Sequence, residues 1–115
     1  MATLTVQALS PTAGLPSVAG SYAAVAGGGD VFPNNGKTWV QFKNTNAATR
    51  TVTFGVNGKA PGGFSITPPT ITVPVTTGES IFGLFDPTIF NNSSGQVAMT
   101  YDASANLSAL VVSLP

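Results

Sequence analysis

The chain has 115 residues, of which 43% are hydrophobic and only 7% are charged, and its formal net charge is zero. A chain of this length suits one domain with a buried core, whereas four basic residues are too few to follow the phosphates of a nucleic acid. The sequence has no histidine and no cysteine, which excludes Ser-His-Asp and Cys-His catalysis, thiolate metal sites and disulfides, and it has no apolar run long enough to span a membrane.

The first segments of the chain combine a strand-like pattern with a long irregular stretch. Apolar and polar residues alternate from Thr3 to Ala8, which predicts a short β-strand. Residues 10–30 are rich in Gly, Ala, Pro and Ser and show no period, so we expect a flexible arm or long loop there. A short edge strand is expected at 22–25. We expect the arm to contact a partner, since it combines flexible composition with several apolar side chains.

Residues 32–37, Phe-Pro-Asn-Asn-Gly-Lys, predict a tight corner before the next strand. Pro33 presets its own backbone angle, and the Asn35-Gly36 pair tolerates positive φ. The Gly-Lys-Thr that ends the corner is similar to the end of a phosphate-binding P-loop, but a P-loop leads into a helix and this stretch leads into a strand. We therefore interpret it as a structural corner that joins the arm to the main hairpin.

Two alternating runs, 38–44 and 49–56, give the strongest hairpin pattern in the chain. In the first run we expect Val40 and Phe42 to face the core. The residues expected on its opposite face are Trp39, Gln41 and Lys43. A turn-like link joins the two runs, so the simplest prediction is that they pair with each other.

The second half of the chain continues the same pattern, with strands expected at 64–66, 70–75, 80–85, 97–101 and 107–114. Pro74 marks its strand as an edge strand, and Asp86 followed by Pro87 predicts the N-cap and first residue of one helical turn. About seven or eight short strands, with turn signals roughly every ten residues, predict an all-β fold. We expect a single sandwich or jelly-roll-like domain over residues 1–115.

The acidic residues do not indicate an active site. Asp30, Glu79, Asp86 and Asp102 lie at loops or strand ends, where a solvated turn residue or a helix cap is the ordinary role. Two of them could in principle form a glycosidase-type pair, but the ordinary roles are expected instead. For calcium, the chain has no spaced Asp/Asn loop of the EF-hand type. We expect no enzymatic activity, no cofactor and no metal.

The low charge favours association with a partner, because nearly neutral surfaces tend to associate. Large aromatic residues are enriched at the centres of protein interfaces, and the candidates here are Tyr22, Trp39, Phe64 and Phe90. A sugar-stacking platform built from Trp39 and the two tyrosines, Tyr22 and Tyr101, is the alternative. The sequence disfavours it, since no acidic or amide residues are expected to cluster near Trp39.

A series of short motifs in a fixed order resembles one group of viral proteins over residues 30–114. After the corner the motifs are Phe42-Lys43-Asn44, Thr51-Val52-Thr53, Thr72-Val73-Pro74, Gly83-Leu84-Phe85, Phe90-Asn91, Gly95-Gln96-Val97 and Thr100-Tyr101. This order resembles that of small structural proteins of tailed bacteriophages, the head decoration or cement proteins.

The resemblance implies a non-enzymatic β-sandwich on the outer surface of the virion, made in the host cytoplasm. Such a protein binds the major capsid protein and stabilises contacts between neighbouring copies of it. It is expected to act as a homo-oligomer, a dimer or a trimer, without a nucleic-acid or membrane partner. The alternative is a carbohydrate- or receptor-binding module of a phage tail or fibre.

Overall fold

The computed structural model describes residues 2–12, 14, 22–60, 62–76 and 78–114. The strands are β1 (Ala2–Thr3), β2 (Val6–Ala8), β3 (Ala23–Ala24), β4 (Asp30–Pro33), β5 (Thr38–Asn44), β6 (Arg50–Phe54), β7 (Lys59–Ala60), β8 (Phe64–Ser65), β9 (Thr70–Val73), β10 (Gly78–Gly83), β11 (Gln96–Tyr101) and β12 (Leu107–Ser113), and the helix is α1 (Pro87–Phe90).

The strands form two main sheets, as the alternating sequence pattern predicts. Sheet A has the order β1-β4-β11-β6-β9, and sheet B has the order β10-β5-β12-β2, with β3 also paired to β12. The pair β7–β8 forms a small separate hairpin. The predicted all-β sandwich is therefore confirmed.

The core lies between the two sheets and is built by inward-facing residues of each alternating strand. Burial alternates along the whole of β5, so that Val40 and Phe42 are buried and the residues between them are half-exposed, as expected for a period of two. Aromatic rings fill the centre: Phe54 stacks on Phe82 at a centroid distance of 4.6 Å and lies 5.2 Å from Phe85. Contacts of this kind add about 0.5–1.5 kcal/mol each beyond area burial.

The predicted hairpin between 38–44 and 49–56 is wrong, because the two strands lie in different sheets. β5 pairs with β10 and β12, whereas β6 pairs with β11 and β9. The link between them crosses from one sheet to the other and is held by Asn44. Its amide nitrogen donates to the carbonyls of Ala48 and Pro74 at 2.9 and 3.0 Å, and its side-chain oxygen accepts from the Asn46 N–H at 2.9 Å.

The predicted N-terminal strand also divides between the sheets. β1 pairs in parallel with β4 in sheet A, and β2 pairs in parallel with β12 in sheet B. Between them the Leu4 N–H donates to the Val31 carbonyl at 2.8 Å, and the Leu4 side chain is buried. The alternation from Thr3 to Ala8 is thus real, but the chain changes partner midway.

Part of the segment predicted as an arm packs on the domain. Ala23 and Ala24 form β3 against β12, which agrees with the short edge strand expected there, and Val25 is buried in the core. Asp30 begins β4, a buried strand between β1 and β11 that the sequence pattern missed because it is too short to show a period. Residues 13 and 15–21 of the predicted arm lie outside the described residues.

The corner at 32–37 joins β4 of sheet A to β5 of sheet B, rather than joining an arm to a hairpin. Gly36 adopts a φ of +89°, as the turn pattern predicts. Asn34 is buried and donates to the Phe85 carbonyl at 3.1 Å and to the Asn91 side chain at 2.7 Å. The corner is therefore fastened to the segment around α1 and serves the fold.

Two local predictions are confirmed. β9 lies at the edge of sheet A and ends directly before Pro74. Asp86 caps α1 by accepting the Thr88 N–H at 2.9 Å, and Pro87 occupies the first helical turn.

Candidate interaction surface

The outer face of sheet B brings together side chains from two adjacent strands. On β5 the residues Trp39, Gln41 and Lys43 point away from the core, and on β10 the same is true of Glu79 and Ile81. The register places Ile81 opposite Gln41 and Glu79 opposite Lys43. Directly opposed residues on one face of an antiparallel pair are close neighbours, so these side chains form one continuous surface.

A chain of hydrogen bonds fixes the two aromatic residues of this surface. The Trp39 Nε1–H donates to the Gln41 side-chain oxygen at 3.0 Å, and the Gln41 amide nitrogen donates to the Tyr22 hydroxyl at 3.2 Å. Burial raises the pKa of Tyr22, although the hydrogen bond from Gln41 opposes that shift. Both rings are therefore held in place on the surface by the same glutamine.

Beside Trp39 lies a shallow apolar site that is open to solvent, here called the outer groove. It has a volume of about 470 Å³ and is lined by Trp39, Gln41, Ile81, Gly83, Leu84 and Leu114. Ile81 and Leu84 are 65% and 54% exposed and line the same site, so together they form an apolar patch on the surface. None of the lining residues is charged, so the groove suits an apolar partner group.

The backbone conformation and close packing at position 83, in the outer groove, require a glycine. It adopts a φ of +148°, and a Cβ at this position would lie 2.6 Å from the Trp39 Cβ. Glycine lets β10 end close against β5, so that Leu84 can follow at the rim of the groove.

A second, more polar cavity adjoins the outer groove. It has a volume of about 320 Å³ and is lined by Tyr22, Gln41, Glu79, Ser80 and Ile81. One amide, that of Gln41, thus bonds Trp39, whereas Glu79 lines this second cavity with Tyr22 rather than the outer groove with Trp39. Gln41 is two residues away on the same face of β5, and Glu79 arrives from β10 through strand pairing that the sequence alone did not indicate.

The structure brings together two of the four aromatic residues predicted at an interface. Tyr22 and Trp39 share the outer face of sheet B through Gln41. Phe90 is half-buried and packs edge-on against Phe85 at a centroid distance of 5.2 Å, at the margin of the core. Phe64 lies apart from both, on the β7–β8 hairpin, and is 72% exposed.

The β7–β8 hairpin is held against α1 at its base. The Asn57 and Gly58 N–H groups both donate to the Ile89 carbonyl, at 2.8 and 2.9 Å. A Cβ at Gly58 would overlap the Thr88 carbonyl, so glycine permits this close approach.

The acidic residues have structural roles or stand apart from one another. Asp86 caps α1, and Asp102 accepts the Thr51 N–H at 2.9 Å. Asp30 is fully buried, and its Oδ2 accepts from the Tyr101 hydroxyl at 2.7 Å and the Ala26 N–H at 3.1 Å. Burial, reinforced by this bond to the Asp30 carboxylate, raises the pKa of Tyr101.

Within the described part of the chain, acidic residues do not gather in groups of three that could hold a metal ion. The helix found in that part is too short to cross a membrane. The chain matches no family model, no curated protein and no solved structure. The class of the molecule is accordingly defined by its own features, a two-sheet β-sandwich with an aromatic and aliphatic surface on the outer face of sheet B.

Proposed function

We propose that the protein is a non-enzymatic structural component of a phage virion, which decorates the outer surface of the head and stabilises contacts between major capsid proteins. The observation that supports this most is the outer groove, where exposed aliphatic side chains gather around a fixed tryptophan on a domain with few charges. Apolar patches of this kind mark interaction surfaces. The class of partner comes from the order of short motifs, which resembles that of head decoration proteins.

The chemistry of the described residues favours binding over catalysis. Asp30, Asp86 and Asp102 accept hydrogen bonds from backbone or tyrosine donors that hold elements together. These three carboxylates therefore have structural roles. A hydrolytic site would instead need acid and base groups that converge on one point.

The proposal is tested with capsid particles that lack this chain. Purified protein is added to the particles, and bound copies are counted after the free chain is removed. Ile81→Lys places a charge in the outer groove and is expected to reduce the number of bound copies at least tenfold, since burying an uncompensated charge is costly. Thr100→Lys is the matched control, because Thr100 is exposed on β11 of sheet A. Failure of the unmodified chain to bind, or equal binding by both variants, would contradict the proposal.

A carbohydrate- or receptor-binding module of a tail or fibre is the second candidate. It is favoured by Gln41, which bonds both Trp39 and Tyr22, and by Glu79, which lines the adjoining cavity with Tyr22, because sugar sites combine an aromatic platform with hydrogen-bonding side chains. An array of glycans with the purified chain separates the two. Saturable glycan binding that Trp39→Ala abolishes, without binding to the capsid, would support the second candidate.

A further inference from the structure

Arg50 is a buried positive charge without a counter-ion. It is the first residue of β6 and faces the core side of sheet A, like Val52 and Phe54, and it is 8% exposed. The four acidic side chains of the protein all belong to the described part of the chain, and none of them forms an ion pair with Arg50 there. Arginine is almost never buried to this degree unless it is paired, because removing its charge from water is costly.

The guanidinium group uses only one of its edges within the chain. Its Nε and Nη2 both donate to the Ala105 carbonyl, at 3.2 and 3.1 Å. Nη1 has no hydrogen-bond partner among the described residues, and it still reaches solvent, since the one side-chain atom found there to be both enclosed and unpaired is Oδ1 of Asp30. Nη1 and the second hydrogen of Nη2 therefore form an unused edge, and such an edge matches the two oxygens of a carboxylate.

The guanidinium group lies where two loops meet, residues 45–49 and residues 102–106, here called the rim. The Thr45 N–H donates to the Asn106 carbonyl at 3.0 Å, and the Asn46 amide nitrogen donates to the Asn106 side-chain oxygen at 3.2 Å. These bonds fasten the two loops to each other and so fix the carbonyl that orients Arg50. A binding group that is already ordered loses less conformational entropy when its partner arrives.

The acidic residue of the rim does not fill the unused edge of Arg50. The Asp102 Oδ1 accepts the N–H groups of Thr51 and Ala103, at 2.9 and 2.8 Å. Its carboxylate is thus held by the backbone beside Arg50 in sequence, on β6 and on its own loop. The counter-ion of Arg50 must accordingly come from outside the described part of the chain.

The rim and the outer groove lie at opposite ends of β5. Trp39 lines the groove, whereas Asn44, five residues further along the strand, is where the chain enters the rim. At 3.3–3.4 Å per residue this is a separation of about 17 Å. A protein that stabilises contacts between neighbouring capsid subunits needs more than one contact point, and the rim supplies a second one of different chemistry.

We propose that Arg50 receives an aspartate or glutamate side chain of the major capsid protein at the rim. The two carboxylate oxygens accept from Nη1 and Nη2, which gives the buried guanidinium group its counter-ion. A pair enclosed in this way is screened by salt much less than an exposed pair. The inference rests on the proposed function for the identity of the partner, whereas the carboxylate site itself rests on the surroundings of Arg50.

A nuclear magnetic resonance titration of the unmodified chain tests the carboxylate site without any capsid. Arg50 is the only arginine, so its Nε–H gives a single signal in the ¹⁵N-labelled protein. Sodium acetate is the probe, and sodium chloride at equal ionic strength is the control. We expect acetate to shift the signal in a saturable way and chloride to leave it in place. Equal shifts in both salts, or no shift in acetate, would overturn the inference.

Capsid binding then tests the partner. Arg50→Met removes the charge, and Arg50→Lys keeps the charge but loses the planar fork. Each should weaken binding to capsid particles by about 30-fold or more, as for one partner of an enclosed charge pair. Lys37→Met is the matched control, because it also removes one positive charge but lies exposed in the corner, outside the rim and the lining of the outer groove. It should bind like the unmodified chain.

The two experiments separate this inference from the proposed function. Saturable acetate binding together with normal capsid binding by both Arg50 variants would overturn the inference and leave the proposed function standing. An unmodified chain that binds acetate at Arg50 but never binds a capsid would contradict the proposed function and, with it, the partner named here, while supporting the carboxylate site.

Discussion

At the scale of single residues, the Asp30–Tyr101 pair links two strands of sheet A through a buried carboxylate. Tyr101 donates its hydroxyl to Oδ2 of Asp30 at 2.7 Å, and Oδ1 has no hydrogen-bond partner among the described residues. Hydrogen bonds to charged groups contribute about 1.5–3 kcal/mol. Loss of the hydroxyl would leave the carboxylate with the Ala26 N–H as its remaining donor.

We expect Tyr101→Phe to lower the free energy of unfolding by about 2 kcal/mol, because it removes this bond and preserves the ring. Tyr22→Phe is the matched control, since the Tyr22 hydroxyl is half-exposed and bonds a neutral amide. It should lower the free energy by less than about 1 kcal/mol. Urea unfolding measures both values, and equal losses in the two variants would contradict the assignment.

The raised pKa of Tyr101 also predicts how stability depends on pH. Above a pH of about 10 the phenol ionises in the unfolded chain, whereas the folded protein still binds the proton. Stability should therefore be fully present below that pH and fall above it, by up to about 1.4 kcal/mol per pH unit for one retained proton.

Urea unfolding at several pH values from about 9 to 11 measures this slope, which spans the ordinary tyrosine pKa. Tyr101→Phe should show a shallower slope than the unmodified chain. Some slope should persist in the variant, because burial also raises the pKa of Tyr22. Identical slopes in both proteins would mean that Tyr101 does not retain its proton in the folded state.

At the scale of elements, the link from β5 to β6 decides the topology of the sandwich. Asn44 is fully buried and satisfies the carbonyls of Ala48 and Pro74, which lie in the link and after β9. Its contacts hold the chain where it leaves sheet B and enters sheet A. Asn44, the last residue of β5, therefore directs the chain into the other sheet. As a result β5 and β6 do not form the hairpin that their spacing suggests.

Asn44→Ala should lower the free energy of unfolding by about 2–4 kcal/mol, because two carbonyls and one N–H lose their partner. Asn44→Asp should lower the free energy of unfolding by at least as much. The aspartate keeps the acceptor for the Asn46 N–H but turns an oxygen toward both carbonyls. Thermal or urea unfolding measures the loss. Asn46→Ala is the control and should cost less than about 1 kcal/mol, as its side chain lies nearer the surface.

Sequence periodicity predicts the faces of the strands better than their partners. The alternation in 38–44 identifies Val40 and Phe42 as core residues, because a period of two depends only on the local backbone. It carries no information on which strand lies alongside. The parallel pairs β1–β4 and β2–β12 join residues that are far apart in sequence, so local patterns could not reveal them.

At the scale of the whole molecule, the candidate surface is assembled from distant parts of the chain. Tyr22 and Trp39 were predictable as large aromatic residues. The outward position of Ile81 was not, because its neighbour Phe82 is also apolar and alternation does not decide which of the two faces the core. Leu84 and Leu114 follow the ends of their strands and have no period to mark them. They reach the groove through pairing of β10 and β12 with β5.

The low number of charges in the whole molecule predicts that attachment to the capsid depends little on salt. Four positive and four negative side chains in the entire chain leave few ion pairs for any interface, and exposed pairs contribute about 0–1 kcal/mol each. Bound copies should therefore be retained from low salt to about 1 M sodium chloride, where the Debye length is about 3 Å. A steep loss of copies over that range would show that charge holds the protein in place.

The most direct test of the virion role is a cryo-electron microscopy reconstruction of the phage particle that contains this protein. The proposal predicts density for the two-sheet sandwich at regularly repeated positions over the outer shell, in contact with the major capsid protein. Density confined to the tail or fibres, or a shell without this sandwich, would contradict the assignment as a decoration protein.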